Sequence, residues 1–402
     1  FTGTGKTIAV LDSGFLGVNT AAPFQRLFTN NLILGGYNYV TQSSNFYTSG
    51  THGTLVLSTM GGYVENVLVG TAPDAFYYLF VTEDGATENP VEESYWVQAA
   101  EEADRLGVDI INTSLGYFGY DNPNYSHTYE DMDGVTAFAS RGADIAFSRG
   151  IICVTSAGNS GSSSNPYISV PADAVHTLAV GAVNASGLYA SFSSIGPSYD
   201  LRVKPDVVAQ GVQAVVANPS GTIGLANGTS FSGPITAGMV ACLWQALPTK
   251  TNAEIMQIIK QSASIYANPT PQLGYGIPNF NTALLNTLNI SEQEQWNVFL
   301  YPNPASDFLK INSSGLAPDA TLQLFSTLGQ KVLEMKSNGQ TITIPISQLA
   351  PGMYFCTILQ EHARPHTNSL NYKTDYLGKQ NHQTFQHTIS HHSRRHDLEQ
   401  RV

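Results

Sequence analysis

Four short apolar runs, each ending in a polar turn, constrain the fold of this chain more than any other feature. They have the form of buried strands, and helical patterns lie between them, as in 91–107 and 133–150. The runs are KTIAVLD (6–12), DAFYYLFV (74–81), VDIINTSLG (108–116) and GIICVTSAGN (150–159). Strand and helix in alternation predict a parallel sheet with helices on both faces. Ligands bind at the carboxyl ends of such strands, so Asp12, 114–116 and 156–159 are candidate site positions.

The pattern changes near residue 291. A polar bridge, SEQEQW (291–296), is followed by short alternating strands separated by Gly, Pro, Asn and Ser turns. This pattern leaves no room for long helices and predicts a small all-β sandwich over 296–360. The first domain is therefore expected to span 1–290.

The last segment, 361–402, has almost no apolar periodicity. It contains seven of the ten histidines, and we expect it to be a disordered or non-native His-rich tail. Its run HTISHHSRRH (387–396) leaves a metal-binding tail open as the alternative.

Composition excludes several classes of protein. Only 12% of the residues are charged, and 18 basic against 30 acidic residues give a net charge of −12, which disfavours nucleic-acid partners. No apolar run reaches the roughly 18 residues needed to span a bilayer. The three cysteines cannot form a disulfide framework.

Four polar segments carry residue types suited to catalysis. Each alone has an ordinary explanation: a turn, a surface or core histidine, a loop, and a helix cap. The segments are AVLDSG with Asp12, GTHGTLVLSTMGG with His52, TSAGNSG with Asn159, and NGTSFSGP with Ser230. Together, in the chain order Asp, His, Ser, they match one known order of the serine-hydrolase triad.

On these segments the chain resembles the subtilisin-like serine proteases, or subtilases, over residues 1 to about 288. The resemblance implies a subtilisin-like parallel sheet in which Asp12 orients the base, His52 is the general base, Ser230 is the nucleophile and Asn159 is an oxyanion donor. It also implies that Ser114, Leu115 and Gly116 pair with the substrate backbone. Ser156, Ala157 and Gly158 resemble the wall of the pocket for the residue before the scissile bond.

Residue chemistry supports these roles independently. A serine hydroxyl is a poor nucleophile until a base takes its proton, and the base needs an acceptor on its other nitrogen. The start of the apolar helix after Ser230 favours developing negative charge. Pro234 is expected in the first turn of that helix, where a missing N–H costs nothing.

The second domain resembles the C-terminal sorting domain of cargo of the type IX secretion pathway, on YPNPASDFLKI, LFSTLGQKV and LAPGMYFCTI. The resemblance implies that secretion machinery is a partner and that the protein is secreted or held at the cell surface. A generic β-sandwich that binds carbohydrate or protein is the alternative.

The sequence thus predicts a secreted serine endopeptidase that acts on protein or peptide substrates through an acyl-enzyme. The alternative is an inactive surface or adhesion protein with a subtilase fold. No cofactor is expected for the chemistry, and no metal ligands are assigned, although structural calcium is left open. We expect a monomer without a membrane span.

Overall fold

The structure is a computed structural model with two compact units, Phe1–Ile290 and Ser291–Val402. It describes residues 1–48, 50–288, 298–313, 320–337, 339, 341–362, 369–378 and 390–392. The polar bridge 291–296 lies outside these residues, so the predicted domain boundaries stay a proposal.

The described part of the first unit contains eleven strands, seven α-helices and three short 3-10 helices. The strands are β1 (Thr7–Asp12), β2 (Ile33–Asn38), β3 (Tyr63–Val64), β4 (Leu68–Val69), β5 (Phe76–Val81), β6 (Ile110–Thr113), β7 (Ile152–Ser156), β8 (Leu178–Val183), β9 (Val207–Gln210), β10 (Ala214–Ala217) and β11 (Ile223–Ala226). The helices are α1 (Gln25–Thr29), α2 (His52–Gly61), α3 (Val91–Arg105), α4 (Phe138–Ser148), α5 (Thr229–Ala246), α6 (Asn252–Gln261) and α7 (Phe280–Thr287).

Seven of these strands form one parallel sheet in the order β2-β5-β1-β6-β7-β8-β9. The chain starts in the middle of the sheet with β1, builds β2 and β5 on one side, and then builds β6 to β9 on the other. The strand order therefore reverses at β1, and ligands bind at such a reversal in open α/β sheets.

Both faces of the sheet are covered. Along β1, Ile8 and Val10 join the apolar core beneath α2 and α5, whereas Ala9 and Leu11 join the core beneath α3 and α4. Successive side chains of a strand point to opposite faces, so a strand buried on both sides has to be apolar throughout. This is why the run at 6–12 lacks polar alternation.

The second unit is antiparallel throughout its described residues. Its strands are β12 (Val298–Tyr301), β13 (Phe308–Ser313), β14 (Thr321–Ser326), β15 (Lys331–Lys336), β16 (Thr341–Pro345), β17 (Met353–His362), β18 (Ser369–Gly378) and β19 (Ser390–His392). They form two sheets, β12-β13-β16 and β15-β14-β17-β18-β19. Alternate residues such as Leu322, Leu324, Ile342 and Ile344 share one core between the sheets. The predicted fold class, a parallel α/β sheet followed by a small all-β region, is confirmed.

The strands β18 and β19 fall in the segment that we expected to be irregular. β18 pairs with β17 from Met353↔Gly378 to His362↔Ser369. The sequence of β18, SLNYKTDYLG, alternates in its first half, where Leu370 and Tyr372 each lie between polar residues. A period of two within one short stretch is easily hidden by a polar surrounding. The structure differs from the expectation at these strands, and the rest of 361–402, with most of HTISHHSRRH, lies outside the described residues.

Candidate active site

Strand ends and helix starts converge at one edge of the parallel sheet. Asp12 is the last residue of β1, and the segments 114–116 and 156–158 end or follow the neighbouring strands β6 and β7. His52 is the first residue of α2, and Ser230 is the second residue of α5. The sheet order β1-β6-β7 thus gathers residues that are far apart in the chain.

Asp12 contacts His52 directly. His52 Nδ1 lies 2.8 Å from Asp12 Oδ1, and the same oxygen accepts the Ser13 N–H at 2.7 Å. The Asp12 side chain is fully buried, whereas the His52 side chain is 36% exposed. The close approach depends on Gly53, since a Cβ there would lie 2.6 Å from the Gly14 carbonyl oxygen and 2.9 Å from Asp12 Cβ.

The carboxylate tunes the imidazole. The charge of Asp12 raises the pKa of His52 above its ordinary 6.5; burial opposes the rise and the hydrogen bond to Asp12 adds to it. The other oxygen, Asp12 Oδ2, is buried and has no hydrogen-bond partner among the described residues. His52 is therefore a stronger base than a free histidine, and its second nitrogen is left for other chemistry.

Ser230 enters the site on a helix that starts one residue earlier. Gly228 precedes the helix at φ +150°, a conformation that strains any other residue. Ser230 is buried; its hydroxyl donates to the Ser114 carbonyl oxygen at 3.2 Å, and its own carbonyl oxygen accepts from Ser114 Oγ at 3.0 Å. The ring of Phe231 lies 6.0 Å from that of His52, which brings the helix start beside the imidazole.

The expectation that Pro234 lies in the first turn is wrong. The helix begins at Thr229, so Pro234 lies beyond the first turn, and its missing N–H would have bonded to the carbonyl oxygen of Ser230. That carbonyl oxygen accepts the Ser114 hydroxyl instead. The proline therefore leaves the Ser230 carbonyl oxygen without a helical donor, and the Ser114 hydroxyl supplies the hydrogen bond.

Asn159 is fixed by its oxygen. Its Oδ1 accepts the Thr229 N–H at 2.9 Å and the Thr229 hydroxyl at 3.1 Å. The amide nitrogen, Nδ2, makes no hydrogen bond to any described residue, and a Cβ built on Gly228 would lie 3.7 Å from it. The contacts leave an exposed amide donor beside the start of α5.

The two predicted substrate segments flank Ser230. Ser156 Oγ donates to the Thr229 carbonyl oxygen at 3.0 Å, and the Gly158 N–H donates to Thr229 Oγ1 at 3.2 Å. On the other side, Gly116 is exposed and Ser114 is bonded to Ser230. Leu115 is half-buried.

The Ala157 side chain packs in the protein core. Its side chain is fully buried in a small cluster with Ile168, Ala172 and Ala179. Only its backbone is left to face the cleft.

Sequence reasoning missed a set of buried and half-buried acidic and phenolic groups beside the site. Tyr117 Oη donates to Glu83 Oε1 at 2.5 Å, and Glu93 Oε1 lies 2.7 Å from His127 Nε2. The available signal was TEDG at 82–85, an acidic turn directly after β5, which is itself a strand end of the kind used to find Asp12.

No described residues form a group of three or more His, Cys, Asp or Glu side chains that could hold a metal ion. No described helix is long and apolar enough to cross a bilayer. Structural calcium stays open.

Two family models match the chain. One, described as the subtilase family, matches residues 3–280, and the other, described as a secretion system C-terminal sorting domain, matches residues 299–369. The sorting domain implies export, so the protein is secreted or held at the cell surface.

Individual relatives agree with the first match. Subtilisin NAT of Bacillus subtilis subsp. natto is 33% identical over 286 residues, which cover 70% of this chain and 66% of that protein, just under two thirds of its length. The subtilisin of Bacillus pumilus is 32% identical over 70% of this chain and 92% of its own length. Among solved structures, the self-cleaved protease domain of PatA is similar with a TM-score of 0.57 and 24% identity, covering 72% of this chain and 99% of that one, which shows a common fold. The family model spans well over half of the chain, so this protein belongs to the subtilase family.

Proposed function

We propose that this protein is a serine endopeptidase that hydrolyses peptide bonds through an acyl-enzyme. In this scheme Ser230 is the nucleophile, His52 is the general base, and Asp12 orients the base. Asn159 Nδ2 and the Ser230 N–H stabilise the oxyanion. Every proton moves between these side chains, the substrate and water, so the scheme requires no cofactor.

One observation carries the proposal: the contact of 2.8 Å between His52 Nδ1 and a fully buried Asp12 is made at the end of β1, with the His52 ring 6.0 Å from the ring of Phe231, the residue after Ser230. A histidine that donates its Nδ1–H to a carboxylate has one defined tautomer, in which Nε2 is unprotonated and can accept a proton from Ser230.

The first step transfers a proton from Ser230 to His52 as the hydroxyl attacks a carbonyl carbon. The hydroxyl has to turn from the Ser114 carbonyl oxygen, its acceptor at 3.2 Å, toward His52 Nε2. The buried carboxylate of Asp12 stabilises the imidazolium that forms. His52 then gives the proton to the leaving amine, and the acyl group stays on Ser230. In the second half His52 takes a proton from water, which attacks the acyl-enzyme, and returns it to Ser230 as the acid is released.

The oxyanion of the tetrahedral intermediate forms beside two donors. Asn159 Oδ1 is held by Thr229, which leaves Nδ2 directed away from that contact. The Ser230 N–H lies in the first turn of α5, where a backbone N–H has no intrahelical acceptor. Donors fixed before the reaction need no reorganisation when the charge appears.

Substrates are proteins or peptides bound in extended form, with Ser114, Leu115 and Gly116 along one edge. Ser156, the Ala157 backbone and Gly158 form the wall for the residue before the scissile bond. We further propose that 1–290 is the peptidase domain and that 296–360 is recognised by secretion machinery. The chain is expected to act as a monomer, with 361–402 dispensable for catalysis.

A fluorophosphonate probe tests the proposal, because it reacts only with a serine that an assembled site has activated. The full chain should be labelled at Ser230, as located by mass spectrometry of the labelled peptide. Ser230→Ala should abolish labelling and lower kcat by about 10⁵–10⁶, the loss known for subtilisin within this family.

Ser232→Ala is the matched control, since Ser232 is a buried serine two residues further along the same helix. It should keep both labelling and peptidase activity. Retention of more than a few per cent of activity by Ser230→Ala, or an unlabelled wild-type chain, would favour the inactive surface protein instead.

A further inference from the structure

A partly buried hydrogen bond joins residues that follow the two strands flanking β1. Glu83 lies two residues beyond the end of β5, and Tyr117 lies four residues beyond the end of β6. Tyr117 Oη donates to Glu83 Oε1 at 2.5 Å, and the Tyr117 side chain is fully buried. We call this contact the Glu83–Tyr117 bridge.

The bridge lies at the end of the strand that carries Asp12. β5 and β6 both pair with β1 in parallel, so a contact between residues beyond their ends spans the end of β1. The residue before Glu83 is also bonded to the end of β1, since the Thr82 N–H donates to the Asp12 carbonyl oxygen at 3.0 Å. The bridge thus ties together both neighbours of the strand that ends in the acid.

Tyr117 is the far anchor of the substrate edge 114–116. Its backbone pairs in both directions with Val170, at 2.8 and 3.1 Å. At the near end, Ser114 bonds twice to Ser230. The edge is therefore held by the nucleophile at one end and by Tyr117 at the other.

Burial favours the uncharged forms of both side chains in the bridge. Burial raises the pKa of Glu83 well above its ordinary value; Glu92, Glu88 and Asp12 act in the same direction, and the hydrogen bond from Tyr117 opposes them. Burial also raises the pKa of Tyr117, so the phenol keeps its proton and remains the donor. A neutral acceptor at position 83 is therefore sufficient for the bond.

We propose that Glu83 and Tyr117 are positioning residues that set the distance between the edge 114–116 and Ser230, and so select peptides extended on the acyl side of the scissile bond. This inference rests on the proposed peptidase function. Neither residue touches the reacting atoms in this proposal. The bridge acts through the backbone of the edge, which only a substrate long enough to lie along it contacts.

The test uses Tyr117→Phe in the full chain, because this change removes one hydroxyl and keeps the ring packed. Steady-state kinetics are measured on peptide p-nitroanilides with one, two and four residues on the acyl side. For the longest peptide we expect kcat/KM to fall about 3–10-fold, the worth of roughly one hydrogen bond, mainly through a higher KM. For the shortest peptide we expect no change, since it does not reach the edge.

Substitutions at position 83 separate the bond from the charge. Glu83→Gln keeps an acceptor oxygen without a carboxyl and should behave like the wild type. Glu83→Leu removes the acceptor and should reproduce the length dependence of Tyr117→Phe. Because both changes break the same bond, the double variant should be no worse than either single variant.

Tyr120→Phe is the matched control. Tyr120 is another buried phenol in the same loop, and it donates to Glu93 Oε1 at 2.8 Å. A loss that is equal for short and long peptides in Tyr117→Phe, or the same length dependence in Tyr120→Phe, overturns the bridge while the wild type remains active and labelled by fluorophosphonate. A wild-type chain that is neither labelled nor active overturns the peptidase proposal and this inference together.

Discussion

Two histidines in this chain bind a buried carboxylate in nearly the same way. His52 Nδ1 lies 2.8 Å from Asp12, and His127 Nε2 lies 2.7 Å from Glu93. Their surroundings differ. Glu93 also accepts from the Tyr120 hydroxyl and the Ala139 N–H, and the His127 side chain is 14% exposed against 36% for His52.

A histidine–carboxylate pair therefore does not by itself make a catalytic base. His127 ties a loop to α3 and the start of α4, and none of its described contacts is a serine hydroxyl at a helix start. His52 has the same pairing at the reversal point of the sheet, beside Ser230. Position at the strand end, and not the pairing, separates the proposed chemistry from structure.

The largest difference in activity is expected when each histidine is replaced in turn. His52→Ala should lower kcat about 10⁶-fold, a magnitude taken from subtilisin as a member of the same family, because it removes the proposed acceptor of the Ser230 proton. His127→Ala should leave kcat unchanged and lower the melting temperature. The kcat values of both variants are measured on one peptide substrate. A comparable loss of kcat in both would contradict the assignment of His52 as the base and of His127 as a structural residue.

The next effect removes only the charge of the partner. Activity requires neutral His52, so with its pKa raised by Asp12 activity should fall as the pH drops through a midpoint above 6.5. Asp12→Asn should lower kcat by about 10⁴, again a subtilisin magnitude, and move this acid limb to lower pH.

Glu93→Gln is the control for the acid limb. It should leave the pH profile of kcat/KM where it is in the wild type. An Asp12→Asn profile with an unmoved midpoint would show that another group governs the limb.

Asn159→Ala removes the proposed oxyanion donor and leaves both histidine–carboxylate pairs intact. We expect kcat to fall by about 10²–10³, or roughly 2.7–4 kcal/mol, with KM nearly unchanged, because the donor acts on charge that appears only in the transition state. The magnitude is that of the family's oxyanion asparagine. A loss expressed mainly in KM would make Asn159 a substrate-binding residue.

The smallest effect concerns the stability that the second pair supplies. Burial alone would lower the pKa of His127, but the hydrogen bond and charge of Glu93 outweigh it and raise that pKa. For Glu93, burial opposes the hydrogen bonds from His127, Ala139 and Tyr120, and the net pKa is lowered. The His127 contribution is complete below its ordinary 6.5 and is lost as the pH rises through the higher folded value; the Glu93 contribution is complete above its ordinary 4.5 and is lost as the pH falls through the lower folded value.

His127→Gln should therefore lower the melting temperature most between about pH 4.5 and 6.5 and least near pH 9. A hydrogen bond to a charged group contributes about 1.5–3 kcal/mol, and each kcal/mol is worth about 2–4 °C in a domain of this size. Thermal unfolding measured across this pH range checks it, and a pH-independent difference would show that the pair is not ionised.

The sequence predicted the strands that reach the site because they are apolar throughout and end in recognisable turns. It placed the second long helix at 133–150, whereas α4 begins at Phe138. The Asp133 side chain accepts the N–H groups of Val135 and Thr136, which holds the preceding residues in a turn. Such local competition is not visible in apolar periodicity.

Within the site, the segments with fixed local motifs could be found from sequence, and the contacts between them could not. The bond between Glu83 and Tyr117 and the pair of Glu93 with His127 each join residues 34 positions apart. No motif links the members of either pair, because only the packing of elements that are remote in the chain brings them together.

Pro234 makes the residues allowed at position 114 depend on the residue at position 234. With no N–H at 234, the carbonyl oxygen of Ser230 depends on the hydroxyl of Ser114, 116 residues earlier in the chain, for its hydrogen bond. A substitution at 114 that removes the hydroxyl leaves a buried acceptor unpaired, which costs about 1–3 kcal/mol, unless position 234 regains an N–H. The two positions are therefore epistatic: change at either one is constrained by the residue at the other, and in descendants of this chain they should vary as a pair.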